Sequence, residues 1–320
     1  MSATFYRDQL KTAQAREFYD ALSGSISRGN LGGIYPLEYH TRSTAIRDGF
    51  DAIRALHNDR PDFFFIGHKC EAMIRGSRLV LMNEVPYTID QIRQIRHYLN
   101  QTLDEFSAGT AGLPDWDRER IVYERVIRYL TYVDHGTENG PKHYDHNIVG
   151  PLLQGSGVCE GFSCLLMLAL RRVGIPCIRV SGMGKNEAHC WNLAWIDGFP
   201  AHLDITWDCV NDNGDVGFFY FNLTDEQITR DHKILTKGLP DCLMPTNGYH
   251  FRKGTIFSTP REASKFFKNA FLNSNGPYSI RFTSDIDTST GIKKAMRNAP
   301  VLHYSYRFSD TQRTALVWGG

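Results

Sequence analysis

Residues 189–208 read HCWNLAWIDGFPAHLDITWD, two alternating apolar runs joined by Asp197-Gly198. An Asp-Gly pair suits the two positive-φ positions of a type I′ turn, whose twist matches that of paired strands, so the segment predicts a tight antiparallel hairpin. The centre of the turn sets the register. Centred between Asp197 and Gly198, it puts Trp191 opposite Asp204 and His189 opposite Thr206, which makes Asp204 the diagonal neighbour of His189 on one sheet face. Such diagonal pairs are ~7–8 Å apart and within reach of long side chains. A slip of one residue would send the two to opposite faces. The stretch therefore commits the chain to an antiparallel pair and delivers an imidazole and a carboxylate to one place.

Upstream, residues 155–164 read GSGVCEGFSC. From Glu160 onward, Phe162, Leu165, Leu166, Ala169 and Val173 keep helical spacing, and Gly174 with Pro176 stops the run. Cys159 is thus expected at a helix N-terminus, where unpaired backbone N–H groups and the helix dipole favour a thiolate and can donate to an oxyanion. Taken singly, each residue has a bland reading: a core cysteine, a packed strand-end histidine, a capping carboxylate. Together, a thiolate, an imidazole to exchange its proton and a carboxylate to hold the imidazole's tautomer make the Cys-His-Asp arrangement of acyl transfer. The reading assigns these roles to Cys159, His189 and Asp204. Cys164 and Cys190 are expected to be buried packing residues, Cys190 by strand alternation on the face opposite His189.

The charge balance, 36 Lys+Arg against 35 Asp+Glu with no basic run, gives no footprint for nucleic acid or an anionic membrane. The N-terminal stretch carries charges where a signal peptide needs an unbroken apolar run, so a cytoplasmic location is the expectation. Seven cysteines, an odd number in a chain of this size, read as reduced thiols. They form no CxxC pair and lack the ligand spacing of a structural zinc site, so neither metal nor cofactor is expected. Thr88-Ile-Asp-Gln91 is a capping box opening a helix with Ile89, Ile92, Ile95, Leu99, Leu103 and Phe106 on one side. A linker at 107–114 precedes a second helix from about Asp115 to Val133. DRPDFFFIG and SRLVLM read as strands. After residue 246, Thr259-Pro260 caps a helix, and PYSIRF, a helix around Gly291–Asn298, LHYSYRF and ALVW give strand, helix, strand, strand. Leu302, Tyr304, Tyr306 and Phe308 alternate as one half-buried face should. The chain is accordingly divided into an N-terminal helical and mixed region at 1–115, a catalytic core at 116–245 and a small α+β module at 246–320. Neither flank is expected to supply a member of the triad.

The blocks GVCEGFSCLLMLALRRVGIPCIRVSG, HCWNLAWIDG, HLDITWD and FFYFNLTDEQITRDH, in that order, resemble the bacterial transglutaminase-like superfamily, of the type often described as cysteine proteases. The resemblance covers about residues 116–235. It implies an α+β fold with a papain-like core, in which the nucleophile helix packs on an antiparallel sheet carrying the histidine and aspartate, and it implies Cys159, His189 and Asp204 as the triad. Gln154, shortly before the nucleophile, is a candidate side-chain oxyanion donor with turn structure as its alternative. Trp191, with Trp195 and Trp207, is a candidate cleft wall or core residue. His146 and His232 occupy family-like positions without a derivable role. The implied activity is attack on amide bonds of a protein or peptide substrate through a thioester. Water as acceptor gives a cysteine peptidase or amide hydrolase, the preferred reading, and an amine gives a transglutaminase. A non-catalytic binding or scaffolding module retaining the fold is the alternative of another class. Oligomeric state is not legible.

Overall fold

The protein is described from a computed structural model, which describes residues 4–133, 146–209, 215–283, 286–297 and 299–320. It is an α+β fold. Two compact units divide the chain: Met1–Val122 with Leu130–Arg179, and Tyr123–Tyr129 with Val180–Gly320.

In the first unit, α1 (Ala13–Ser27) starts at Thr12, whose hydroxyl accepts from the Ala15 N–H, and buries Phe18, Tyr19, Leu22 and Ile26 along one stripe. β1 (Ile34–Glu38), α2 (Arg42–Asp59), β2 (Cys70–Arg75) and β3 (Arg78–Asn83) follow, the strands forming a sheet of order β1-β3-β2. DRPDFFFIG is not a strand. Pro61 opens a 3-10 turn over Pro61–Phe63, and Phe63, Phe64 and Phe65 are all buried. Three consecutive buried rings fit a turn, which fans them in different directions, and not the alternation of a half-exposed strand. α3 (Ile89–Ser107) carries both bonds of the Thr88–Gln91 capping box and buries Ile92, Ile95, Leu99, Leu103 and Phe106, whereas Ile89 in its first turn is exposed. α4 (Asp115–Tyr129), α5 (Val149–Gln154) and α6 (Cys159–Arg172) complete the helices used below.

In the second unit, a four-stranded sheet holds β4 (Cys177–Gly184), β5 (Glu187–Ile196), β6 (Phe199–Leu203) and β7 (His232–Ile234) in the order β6-β5-β4-β7. The β5–β6 hairpin has the register read from its turn: Ala194 pairs with Ala201 and Ile196 with Phe199, while Asp197 and Gly198 take φ of 52° and 85°. The pairing stops at Asn192–Leu203. Asp204 therefore never sits opposite Trp191, because it leaves the strand to cap the one-turn helix α7 (Ile205–Asp208). Farther on, β8 (Ile256–Phe257), α8 (Pro260–Ala270), β9 (Tyr278–Phe282), α9 (Thr288–Met296), β10 (Tyr304–Ser309) and β11 (Thr314–Gly319) build a second four-stranded sheet, ordered β8-β9-β11-β10. Ala263 and Phe267 of α8, Ile292 and Met296 of α9, and Ile280, Phe282, Ala315 and Val317 of the sheet share its core. The alternation of LHYSYRF misleads on burial. Leu302 falls before the strand begins and is 93% exposed, and Tyr304 and Phe308 are exposed as well on β10, an edge strand. Among the described residues no helix is long and apolar enough to cross a membrane.

Candidate active site

Cys159 is the first residue of α6, after Val158 in extended conformation, and is half-buried. Its neighbour Glu160 is an unfavourable charge for a thiolate unless it is compensated. Arg179 Nη1 lies 3.2 Å from Glu160 Oε1 and His146 Nδ1 lies 3.3 Å from Oε2. Burial alone would raise the Glu160 pKa, but the hydrogen bond with His146 and the charge of Arg179 outweigh it and hold the carboxyl below its ordinary value. Glu160 also lines a cavity of about 470 Å³ with Phe63, Phe64, Ile66, Ile148 and Arg179. Cys164 is buried with its thiol pKa pushed up by burial, which accords with an inert packing residue. Cys190, expected to be buried, is only half-buried. It lies near the open end of β5, beyond the last residue paired with β6.

In the second unit, His189 Nε2 lies 2.8 Å from Asp204 Oδ2. The expected meeting of the two side chains is present, by a route different from the diagonal strand pair. Asp204 reaches His189 as a helix cap: its Oδ1 accepts from the backbone N–H of Thr206 at 3.0 Å and of Trp207 at 3.2 Å, which leaves Oδ2 for the imidazole. The carboxylate is fully buried. Burial pushes its pKa up, yet the charge and hydrogen bond of His189, joined by His232, win and hold it at about 2. Asp208, the other carboxylate of the segment, is directed elsewhere. It accepts from Tyr123 Oη and from the Phe219 and Tyr220 N–H groups, and burial raises its pKa to about 6.

Aromatic rings fix the imidazole. His189 stacks on Trp191 with 6.0 Å between centroids and lies 5.5 Å from the Trp207 ring. Trp191 is fully buried, so it underlies His189 and does not wall a solvent-filled cleft. Its indole N–H donates to His202 Nδ1 at 3.0 Å, which leaves the His202 proton on Nε2, 2.9 Å from Asp225 Oδ1. Gln154 ends α5 and is exposed, in the first unit with Cys159. His146 pairs with Glu160. The other residue that the sequence left without a role is His232. Its Nε2 lies 3.0 Å from Asp204 Oδ2 and its Nδ1 lies 2.7 Å from Asp231 Oδ1. The Asp-His pair in TRDH was the available signal, but nothing local shows that β7 brings it to Asp204.

Residues 100–207 match the sequence model of the Transglutaminase-like superfamily. The likeness read from the sequence blocks thus holds over a segment that contains Cys159, His189 and Asp204. No curated protein matches the chain. Among solved structures, a TGase is similar at 12% identity over 43% of this chain and 44% of its own, with a TM-score of 0.33. A "putative cysteine protease" from Cytophaga hutchinsonii is similar at 15% identity over 46% of this chain and 64% of its own, with a TM-score of 0.28. A "putative protease" from Parabacteroides distasonis is similar at 10% identity over 42% of this chain and 35% of its own, with a TM-score of 0.26. This chain spans less than two thirds of the length of each.

Proposed function

We propose that the chain is a Cys-His-Asp acyl-transfer enzyme that cleaves amide bonds of protein or peptide substrates through a thioester, with Cys159 as nucleophile, His189 as base and acid, and Asp204 as the orienting carboxylate. The observation that carries this reading is the buried, ionised Asp204 bound through Oδ2 to His189 Nε2. With Nε2 committed to Asp204, proton exchange with the thiol falls to Nδ1. Nδ1 takes the Cys159 proton, the thiolate attacks the substrate carbonyl carbon, and the carbonyl electron pair moves onto oxygen. The backbone N–H groups of the first turn of α6 are suited to hold that oxyanion. Collapse breaks the C–N bond, the amine leaves with the proton from Nδ1, and a thioester remains on Cys159. Water, deprotonated by Nδ1, then releases the carboxylic acid and restores the thiol. The mainly apolar cavity beside Glu160 offers room for a substrate side chain.

The test has two stages. A cysteine-directed active-site probe should label Cys159 in the native protein and label the His189→Ala variant far more slowly. Equal, slow labelling of both would leave a binding module without acyl-transfer chemistry. A peptide-library digest run beside an amine-incorporation assay then identifies the acceptor: new peptide N-termini support the hydrolase, and incorporated amine without cleavage replaces it with a transferase.

A further inference from the structure

We propose that His232 is a positioning residue of the His189–Asp204 pair: a doubly protonated imidazole that ties Asp204 to Asp231, fixes the carboxylate against His189 and offsets part of its charge. The proposal rests on the acyl-transfer reading for its catalytic meaning, but its geometry stands within one unit of the fold. His232 is buried, with one ring nitrogen facing each of two carboxylates, Asp204 Oδ2 at 3.0 Å and Asp231 Oδ1 at 2.7 Å. Carboxylates accept and do not donate when ionised, so both contacts are hydrogen bonds only if both ring nitrogens carry protons. Neutral His232 would leave one carboxylate oxygen against a lone pair.

The surroundings support the cation. Asp231 is itself held in place, its Oδ2 accepting from Tyr220 Oη at 2.8 Å and from Gln312 Nε2 at 3.2 Å. The groups facing the His232 ring are the carboxylates Asp204 and Asp231, the His189 ring 5.4 Å away, the Tyr220 phenol, and the uncharged indoles of Trp191 and Trp207. Burial works to lower the His232 pKa, but the hydrogen bonds it donates to the two carboxylates outweigh it and raise it above the ordinary histidine value. Asp204 then presents His189 with a carboxylate whose charge is partly neutralised. Its anchorage is complete, because Oδ1 is held by α7 and Oδ2 by two imidazoles.

The consequence is readable without substrate. A cation 5.4 Å from His189 disfavours a second cation there, so replacing His232 by glutamine, which keeps an N–H donor for Asp204 but no charge, should raise the His189 pKa by ~1 unit. Asp231→Asn should act in the same direction by removing one of the anions that keep His232 protonated. The experiment is long-range proton–nitrogen NMR of the imidazoles in the native chain and both variants, with iodoacetamide alkylation of Cys159 followed across pH. Expected are two N–H protons on His232 at pH 7, an upward shift of His189 in both variants, and an alkylation profile displaced to higher pH. One unprotonated nitrogen on His232 at pH 7, or an unmoved His189 pKa in a folded variant, overturns the proposal. If His232→Gln fails to fold, Asp231→Asn decides by the same readout. Should native Cys159 label no faster than Cys190, the acyl-transfer reading falls while the NMR measurements still decide the clamp.

Discussion

Asp204 Oδ2 accepts from two imidazoles, at 2.8 Å and 3.0 Å, while Oδ1 caps α7. An asparagine there can keep its carbonyl oxygen on the Thr206 and Trp207 N–H groups, so the cap survives, but its amide N–H points at ring nitrogens that need an acceptor. Asp204→Asn should therefore leave a folded protein whose acyl-transfer rate is lower by a factor on the order of 10³–10⁴, from the wrong imidazole tautomer. Steady-state kinetics beside a thermal melt checks this, and a rate within tenfold of native would remove Asp204 from the triad. The thiols supply a second prediction. Burial raises the pKa of Cys70, Cys164 and Cys242 and takes Cys209 to about 12. Brief iodoacetamide treatment at pH ~6, where ordinary thiols are well under ~1% ionised, should mark Cys159 first in a peptide map. At this scale the helix start at Cys159 and the meeting of His189 with Asp204 were legible because each rests on a short pattern. His232 was not, since its partner Asp204 is distant in sequence and only the sheet joins them.

The β5–β6 hairpin shows what a local rule can and cannot specify. Asp-Gly dictated the register through Ile196–Phe199, but α7 ended the pairing at Leu203, because Asp204 gains more as a cap with two backbone N–H partners than as one more strand residue. Two glycines of this sheet separate turn strain from packing. Gly198 has φ +85° and open space where a Cβ would stand, so Gly198→Ala meets only the conformational penalty of ~1–2 kcal/mol and should leave Cys159 alkylation unchanged. At Gly182 a Cβ would run into the Lys233 carbonyl oxygen and the Trp191 ring on which His189 stacks. Gly182→Ala should cost ~1–3 kcal/mol in denaturant unfolding and also slow alkylation of Cys159. Equal alkylation rates for the two variants would show that the Trp191 platform does not control the reactive imidazole.

For the whole molecule, Asp204 and Asp208 pull stability in opposite directions with pH. Asp204, held at about 2 against an ordinary 3.8, contributes stability above pH ~4 that is lost as pH falls from ~4 toward 2. Asp208, raised to about 6, contributes stability below pH ~4 that is lost as pH rises through 6. Asp208→Asn removes only the second effect, and its side-chain oxygen can still accept from the Phe219 and Tyr220 N–H groups. Its stability relative to native should rise by on the order of 1 kcal/mol per pH unit between pH 4 and 6 and then level off, as urea unfolding at pH 4, 5, 6 and 8 will show. A pH-independent difference would mean that Asp208 is not the buried acid described. The sequence alone determined the helix beginning at Cys159, the Thr88 capping box, the hairpin register and the strand, helix, strand, strand order of the C-terminal segment, since caps, turns and periodicity act over a few residues. Tertiary structure decided that FFF turns instead of extending, that Tyr304 and Phe308 stay exposed on an edge strand which Leu302 never joins, and that Trp191 is buried beneath the imidazole. It also decided that the histidine of TRDH reaches Asp204. Burial and buried hydrogen bonds depend on which distant segments arrive, and no window along one strand or helix contains that information.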